Sequence, residues 1–416
     1  MSERNRRTVD LEFRPIRAEE ADRYLRQIET AFTYVPTEDD IRHERSVLEP
    51  ERTLAAFDGE DIVGSTAAFS FDLTIPGGIV PMAGVTHVGV WPTHRRRGIL
   101  TELMRRQLTD LRHRGEILAG LWASEGSIYQ RFGYGLATMH SRFTVDRARI
   151  AFTRPLPQDP GTLRILPRDQ AFPAMQAVYE RVRPEVPGML SRPGAWWEAL
   201  YADPESRRDG ASPLFFVVHD TAGTPDGYAA YRAKDGWVDG APSGEAEVHE
   251  LMAADPAAYA ALWRFVFGID LVKSIFAWRR LADEPLLYMV AEPRRLRFEL
   301  QDALWLRLVD VRAALAARRY AIEGSVVLRV RDDFCPWNEG QLVVKGRADG
   351  AEALPADDAE PDLYVDAADL GAVYLGGTSF DRLARAGRVA ASSEAALRQA
   401  DAMFATPQAP WCPHLF

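Results

Sequence analysis

Arg95-Arg96-Arg97-Gly98 stands between an apolar run at residues 86–90 and a stretch with helical spacing. From Ile99 the apolar residues recur at Leu100, Leu103, Met104, Leu108 and Leu111, one face of a helix. Arg105, Arg106, Asp110 and Arg112 take the other face. A helix that starts at Gly98 leaves backbone N–H groups without partners at its N-terminus, and glycine permits close approach of a ligand to the backbone. Flanked by three arginines, such a turn is an anion site suited to a pyrophosphate. Taken alone, Arg-x-x-Gly fits a basic surface turn as well.

Two further stretches carry groups that could move protons. Ser124-Glu125-Gly126-Ser127-Ile128-Tyr129-Gln130-Arg131-Phe132-Gly133-Tyr134-Gly135 follows residues 117–123, which read as a strand buried on both faces. The Tyr129 phenol, with an ordinary pKa of about 10, is protonated at neutral pH and can donate a proton. A lone tyrosine is more often a packed aromatic whose hydroxyl reaches solvent. The sequence ends Ala409-Pro410-Trp411-Cys412-Pro413-His414-Leu415-Phe416. Two prolines restrict it, and Trp411, Leu415 and Phe416 favour burial, so it reads as a docked segment that holds its α-carboxylate in place. In water that carboxylate, with a pKa of about 3.5, is a poor acceptor of an ammonium proton; desolvation strengthens it as a base. A docked end serves equally as a tie between domains. His87 reads as a packed histidine on the strand and His94 as a solvated loop residue.

The elements that must position these groups follow from the patterning. Residues 11–16 read as a strand and 18–32 as a helix with Ala21, Tyr24, Leu25, Ile28 and Phe32 on its core face. A second helix spans 39–48. Residues 53–57 and 62–71 form a hairpin across Asp58-Gly59, and Pro76-Gly77-Gly78 makes another turn. Residues 143–145 close a first unit, and 155–161, rich in proline, read as a linker. A strand (163–166), helices (170–183 and 192–201), strands (214–219, 227–231, 245–252) and a helix (256–267) then loosely repeat the first unit. Asp255-Pro256-Ala257-Ala258 stands where an Arg-x-x-Gly turn would fall, so this second unit is expected to bind no coenzyme. A third unit from Arg297 has a strand (305–310), a helix (311–318), antiparallel strands (326–330 and 340–344), and helices at 380–386 and 393–404, the last with Ser393 as N-cap.

A chain of 416 residues holds two to four domains at ~100–200 residues each. With 60 acidic against 50 basic side chains the net charge is −10, which argues against a general nucleic-acid binder and favours cationic substrates. Cys335 and Cys412 form no framework and lack metal-ligand spacing, as two buried thiols in a reducing cytoplasm would. Residues 1–7 are charged with no apolar core behind them, so they are not read as a secretory signal.

The strand, the Arg-x-x-Gly turn and the helix together resemble the acetyl-CoA signature of the GCN5-related N-acetyltransferases (GNAT), Arg/Gln-x-x-Gly-x-Gly/Ala, with Leu100 at the last small position. Tyr129, three residues before Phe132-Gly133-Tyr134-Gly135, is similar to the tyrosine that protonates the coenzyme thiolate in that family. The three units and the terminal phenylalanine resemble the Eis-type (enhanced intracellular survival) N-acetyltransferases of actinobacteria. That resemblance implies an α/β (α+β) chain of two tandem GNAT-like domains followed by a sterol-carrier-protein-like domain. Their expected bounds are 1–157, binding acetyl-CoA; 158–296, without a coenzyme site; and 297–416, serving packing and assembly and carrying the C-terminus.

The same resemblance implies acetyl-CoA as cosubstrate, no metal, and contacts to the coenzyme from Val88, Gly89, Val90, Arg96, Arg97, Gly98, Ile99, Leu100, Thr101, Ser124 and Glu125. Tyr129 would be the general acid and the Phe416 carboxylate the general base. It also implies direct transfer to primary amines (of aminoglycosides at several positions, of lysine or of polyamines) by a homohexamer. Neither nucleic acid nor a membrane is an expected partner. The alternative is a noncatalytic acyl-CoA or lipid-responsive binding protein.

Overall fold

The computed structural model describes residues 11–153 and 156–416; residues 1–7 and Pro155 of the expected linker lie outside the described residues. The first part runs β1 (Glu12–Arg14), α1 (Ala21–Glu29), α2 (Glu38–Arg45), β2 (Thr53–Asp58), β3 (Asp61–Ile75), β4 (Gly78–Val90), α3 (Ile99–His113), β5 (Leu118–Trp122), β6 (Gly135–Leu136) and β7 (Met139–Asp146). The middle part has β8 (Thr162–Leu166), α4 (Arg168–Val182), α5 (Gly194–Leu200), β9 (Phe215–Thr221), β10 (Thr224–Lys234), a small hairpin of β11 (Trp237–Val238) and β12 (Ala241–Pro242), β13 (Gly244–Ala253), α6 (Pro256–Phe267), β14 (Val272–Arg280) and α7 (Leu286–Met289). The last part has β15 (Glu299–Asp302), β16 (Leu304–Leu308), α8 (Val311–Ala317), β17 (Gly324–Arg331), β18 (Gly340–Arg347), β19 (Gly350–Pro355), β20 (Leu363–Asp366), α9 (Ala367–Val373), α10 (Phe380–Arg385), β21 (Ala390–Ala391) and α11 (Glu394–Phe404).

Three main sheets result, and they cross the expected bounds at 157 and 296. The first has the order β1-β2-β3-β4-β5-β16-β6, the second β15-β7-β14-β13-β10-β9-β8, and the third β19-β18-β17-β20-β21. Residues 143–145, expected to close the first unit, therefore belong to the second sheet, where β7 pairs with β14 and β15. In return β16 enters the first sheet beside β5, with Leu304 opposite Trp122 and Leu308 opposite Leu118. The two chain segments change sheets side by side: Ala303 N–H donates to the Thr138 carbonyl at 3.1 Å and Thr138 N–H to the Leu304 carbonyl at 3.1 Å.

The helices form where the apolar spacing placed them. On α3, Leu103, Met104, Leu108 and Leu111 are buried against the first sheet while Arg105 and Arg106 stay outside. On α1, Ala21, Tyr24, Leu25 and Ile28 are buried, but Phe32, expected with them, is 44% exposed. It lies past the helix end, where Thr33 turns left-handed at φ 57° and the 3.6-residue period no longer applies. In the third part Ser393 caps α11 by accepting from Ala396 N–H at 3.1 Å. Among the described residues no helix is long and apolar enough to cross a membrane.

Candidate active site

The site begins where two parallel strands part. β4 and β5 pair only through Met82, Ala83 and Gly84 opposite Leu118, Ala119 and Gly120. β4 nevertheless runs on to Val90, held on its other side by β3 up to the Gly64–Val90 pair. The β5-facing edge of residues 85–90 is therefore left without a strand partner. A shift of register between Ser65 and Ala67 marks a bulge opposite residues 86–89, and His87 there has φ 52°. Bulges bend the bulged strand and re-aim its side chains. Along this free edge the backbone of Val88, Gly89 and Val90 can pair with an extended ligand as a third strand would.

Past Trp91 the chain reaches the N-terminus of α3. Gly98 takes φ 83° and no side chain caps the helix. A Cβ at Gly98 would meet nothing within 4 Å, so the backbone angle is what requires glycine there. The first amides of α3 are thus open to an anion. The three arginines divide. Arg95 lines the cavity described below and is tied to backbone, donating to the Ala31 carbonyl at 3.1 Å and the Val90 carbonyl at 3.3 Å. Arg96 lines the same cavity, with a positive φ of 63°. Arg97, expected at the coenzyme, is exposed and does not line it. Arg96 and Arg97 are neighbours in the chain, and the left-handed backbone at Arg96 separates the directions of their side chains. At the matching place in the middle part, Asp255 accepts from Ala257 N–H at 2.9 Å and Ala258 N–H at 3.0 Å, so the start of α6 carries its own carboxylate.

After β5 the chain makes two short 3₁₀ turns, Gly126–Ile128 and Gln130–Phe132, with Tyr129 between them and Gly133 closing the second at φ 82°. Gly126 sits on the Trp305 ring from β16, which a Cβ would approach to 2.9 Å. Tyr129 is buried, its ring 6.0 Å from that of Tyr134. Burial, helped by the negative charge of Glu125, pushes its hydroxyl up to about 12. It is a neutral donor throughout the physiological range.

The C-terminal segment docks between the first two parts. Trp411 N–H donates to the Pro187 carbonyl at 2.8 Å and its indole N–H to the Arg279 carbonyl at 2.8 Å. Trp122 donates its indole N–H to the His414 carbonyl at 2.9 Å. The His414 ring lies 4.7 Å from Trp196, and the Phe416 ring 5.1 Å from Phe71. Leu415, expected to be buried, is 40% exposed, next to His414, which is fully buried.

One cavity of about 990 Å³ joins these pieces. It is lined by Val88, Gly89 and Val90, by Arg96, Gly98, Ile99, Leu100 and Thr101, by Ser124 and Glu125, and by Tyr129 and Phe416. Its volume is in the range of pockets that enclose a small molecule almost fully. His94, read as a solvated loop residue, instead holds Asp58 at 3.1 Å with a side chain only 15% exposed. His87 is packed as expected, edge-on to Phe69 with centroids 6.1 Å apart, and also lines the cavity. Glu29, Glu44 and Trp196 were not singled out by sequence and line it too. Nothing local marks them: they sit on α1, α2 and α5, and only the tertiary arrangement brings these three helices to one cavity.

Comparison with known proteins agrees with this architecture. The acetyltransferase (GNAT) domain family matches residues 12–137 and, through a second family of the same description, 188–330; the sterol carrier protein domain family matches 311–413. That is the expected order of two GNAT domains followed by a sterol-carrier-protein-like domain. An uncharacterized N-acetyltransferase of Streptomyces avermitilis is 45% identical over 89% of this chain and 91% of its own length. N-acetyltransferase Eis of Mycobacterium tuberculosis is 36% identical over 84% of each chain. The crystal structure of Eis1 from Mycobacterium abscessus superposes with a TM-score of 0.84 at 38% identity, covering 97% of this chain and 100% of that one. GNAT domains use acetyl-CoA, and the open strand edge and uncapped helix start of the first sheet suit such a ligand. The chain belongs to the Eis-type N-acetyltransferases of the GNAT family, enzymes that transfer an acyl group to amines.

Proposed function

We propose that this enzyme transfers acetyl directly from acetyl-CoA to a primary amine, with Tyr129 as general acid and the Phe416 α-carboxylate as general base. The pantetheine arm lies along Val88, Gly89 and Val90, and the pyrophosphate rests on the amides of residues 96–101, with Ser124 and Glu125 completing the coenzyme side. An acceptor ammonium gives a proton to the carboxylate, the amine nitrogen attacks the thioester carbon, and the C–S bond breaks as Tyr129 protonates the sulfur. The second nitrogen proton passes to the Tyr129 oxygen, which restores the phenol and leaves a neutral amide. The acceptors are cationic: aminoglycosides at more than one position, polyamines or lysine side chains. The enzyme works in the cytoplasm as a homohexamer, without nucleic acid or membrane.

The observation that carries this reading is that Tyr129 and Phe416 line the same cavity at the fork of β4 and β5. It is tested by acetyl-CoA turnover with polyamines and aminoglycosides, with mass counting of acetyl groups, and sedimentation for the assembly. Turnover should fall steeply in Tyr129→Phe and in a chain extended by a few residues beyond Phe416. Full activity of the extended chain would remove the carboxylate from the mechanism.

A further inference from the structure

Two carboxylates that line the cavity, Glu29 and Glu44, have no part in acetyl transfer itself. Glu44, on the last turn of α2, has Oε2 3.5 Å from His87 Nε2. His87 is fixed from its other side by the Tyr24 hydroxyl, 3.4 Å from Nδ1, and between the rings of Tyr24 and Phe69. A histidine held on both nitrogens and placed by a left-handed backbone at the bulge presents Glu44 in one orientation. Among the described residues Glu44 Oε1 has no hydrogen-bond partner, and the side chain is 38% exposed. Burial alone would raise its pKa, but the bond to His87 and the charges of His87, His43 and Arg207 outweigh that, so the carboxyl is held below its usual value.

Between Glu44 and Phe416 runs an aromatic floor. Phe69 and Trp196, 4.8 Å apart, line the cavity with Phe416, and Phe71 packs behind them, 5.2 Å from Trp196 and 5.1 Å from Phe416. Such a floor accepts a hydrocarbon spacer and tolerates a cation, while a partly desolvated carboxylate binds an ammonium far better than a hydroxyl.

We propose that Glu44, positioned by His87, is a specificity determinant that holds a second ammonium of the acceptor while its first amine is acetylated beside Phe416. This rests on the proposed acceptor site at Tyr129 and Phe416. The substrate class that follows is amines with a second protonated nitrogen several carbons from the reacting one.

The test compares 1,5-diaminopentane with 5-amino-1-pentanol, which have the same chain length and one ammonium fewer in the second. The unaltered enzyme should prefer the diamine in kcat/KM by about 10- to 100-fold, the value of one charge-assisted contact, mostly through KM. In Glu44→Gln that ratio should fall towards one; in Glu44→Asp, which keeps the charge, part of it should remain. Tyr129→Phe should lower both acceptors and leave the ratio. A ratio near one in the unaltered enzyme, or one that survives Glu44→Gln, overturns the anchor. If neither compound is acetylated, the acceptor site as proposed fails; calorimetric binding of the diamine to the protein with coenzyme A then decides the anchor, which requires weaker binding in Glu44→Gln.

Discussion

The Phe416 ring packs on the Phe71 ring directly over Gly84, the last residue of β4 that still pairs with β5. A Cβ at Gly84 would come within 2.6 Å of the Phe71 ring and 3.1 Å of the Phe416 ring. The absence of a side chain at that one position lets the C-terminal residue enter the fork.

Gly84→Ala should therefore displace Phe416 as well as strain the core. Overpacking of this kind costs about 1–3 kcal/mol, a fall in Tm of several degrees. If Phe416 takes part in the reaction, kcat should fall about 10-fold or more, since a small misplacement of a reacting group is costly. Calorimetry and kinetics on the same sample separate the two. A lowered Tm with unchanged kcat would show that the ring's placement is irrelevant to turnover.

Tyr129→Phe should lower kcat by about 10²–10⁴-fold with little change in KM for acetyl-CoA. Because burial raises the phenol to about 12, the intact enzyme should show no alkaline loss of kcat from this group below about pH 10. The same shift means that folding favours the neutral phenol: its contribution is complete below the unfolded value of about 10 and lost as pH rises through about 12. An alkaline limb near pH 8 that disappears in Tyr129→Phe would contradict this environment.

Asp255→Ala removes the cap of α6, where the carboxylate accepts two backbone N–H bonds. It should destabilise the protein by about 0.5–2 kcal/mol. Acetyl-CoA should still bind at one site per chain, measured by titration calorimetry. A second coenzyme appearing in the variant would show that only the cap kept the middle part empty.

Glu250 is buried beneath the docked C-terminal segment, where Arg192 grips both its oxygens at 2.7 and 3.0 Å and the Tyr228 hydroxyl donates at 2.7 Å. Burial opposes its charge, but the Arg192 charge and these bonds hold the carboxyl well below its ordinary value. That contribution is present above about pH 4 and lost as pH falls further. Glu250→Ala leaves the Arg192 charge buried and alone, which should cost about 3–5 kcal/mol in denaturant titration at neutral pH. Loss below about 1 kcal/mol would mean that water or other groups replace the pair.

The helices and the Arg-x-x-Gly turn ahead of α3 are legible in the chain because their signals are local. The apolar spacing from Leu100 to Leu111 and the glycine ahead of it define α3 within a residue, and Asp255-Pro256 announces both the start of α6 and its cap. Strand partnership is not local. Nothing in residues 139–146 or 304–308 tells which sheet they join, because a strand's partner is chosen by the surfaces around it. β4 extends well before the apolar run at 86–90, starting at Gly78, and the Phe71 and Phe416 rings pack over its Gly84. Side chains of one short loop also part company in ways spacing cannot give: Arg95 and Arg96 line the cavity, Arg95 also bonded to backbone carbonyls, while Arg97 stays outside.

Because β16 lies between β5 and β6, a ribosome must deliver residue 308 before the first sheet has all its strands. Until then β5 offers an unpaired, apolar edge, the kind that invites pairing with another chain. The segments recognised by likeness to other proteins are thus not the segments that can stand alone. A fragment cut at residue 157 should be hard to keep in solution, and grafting the last third of another protein onto this one would replace an interior strand of the sheet that carries the candidate active site.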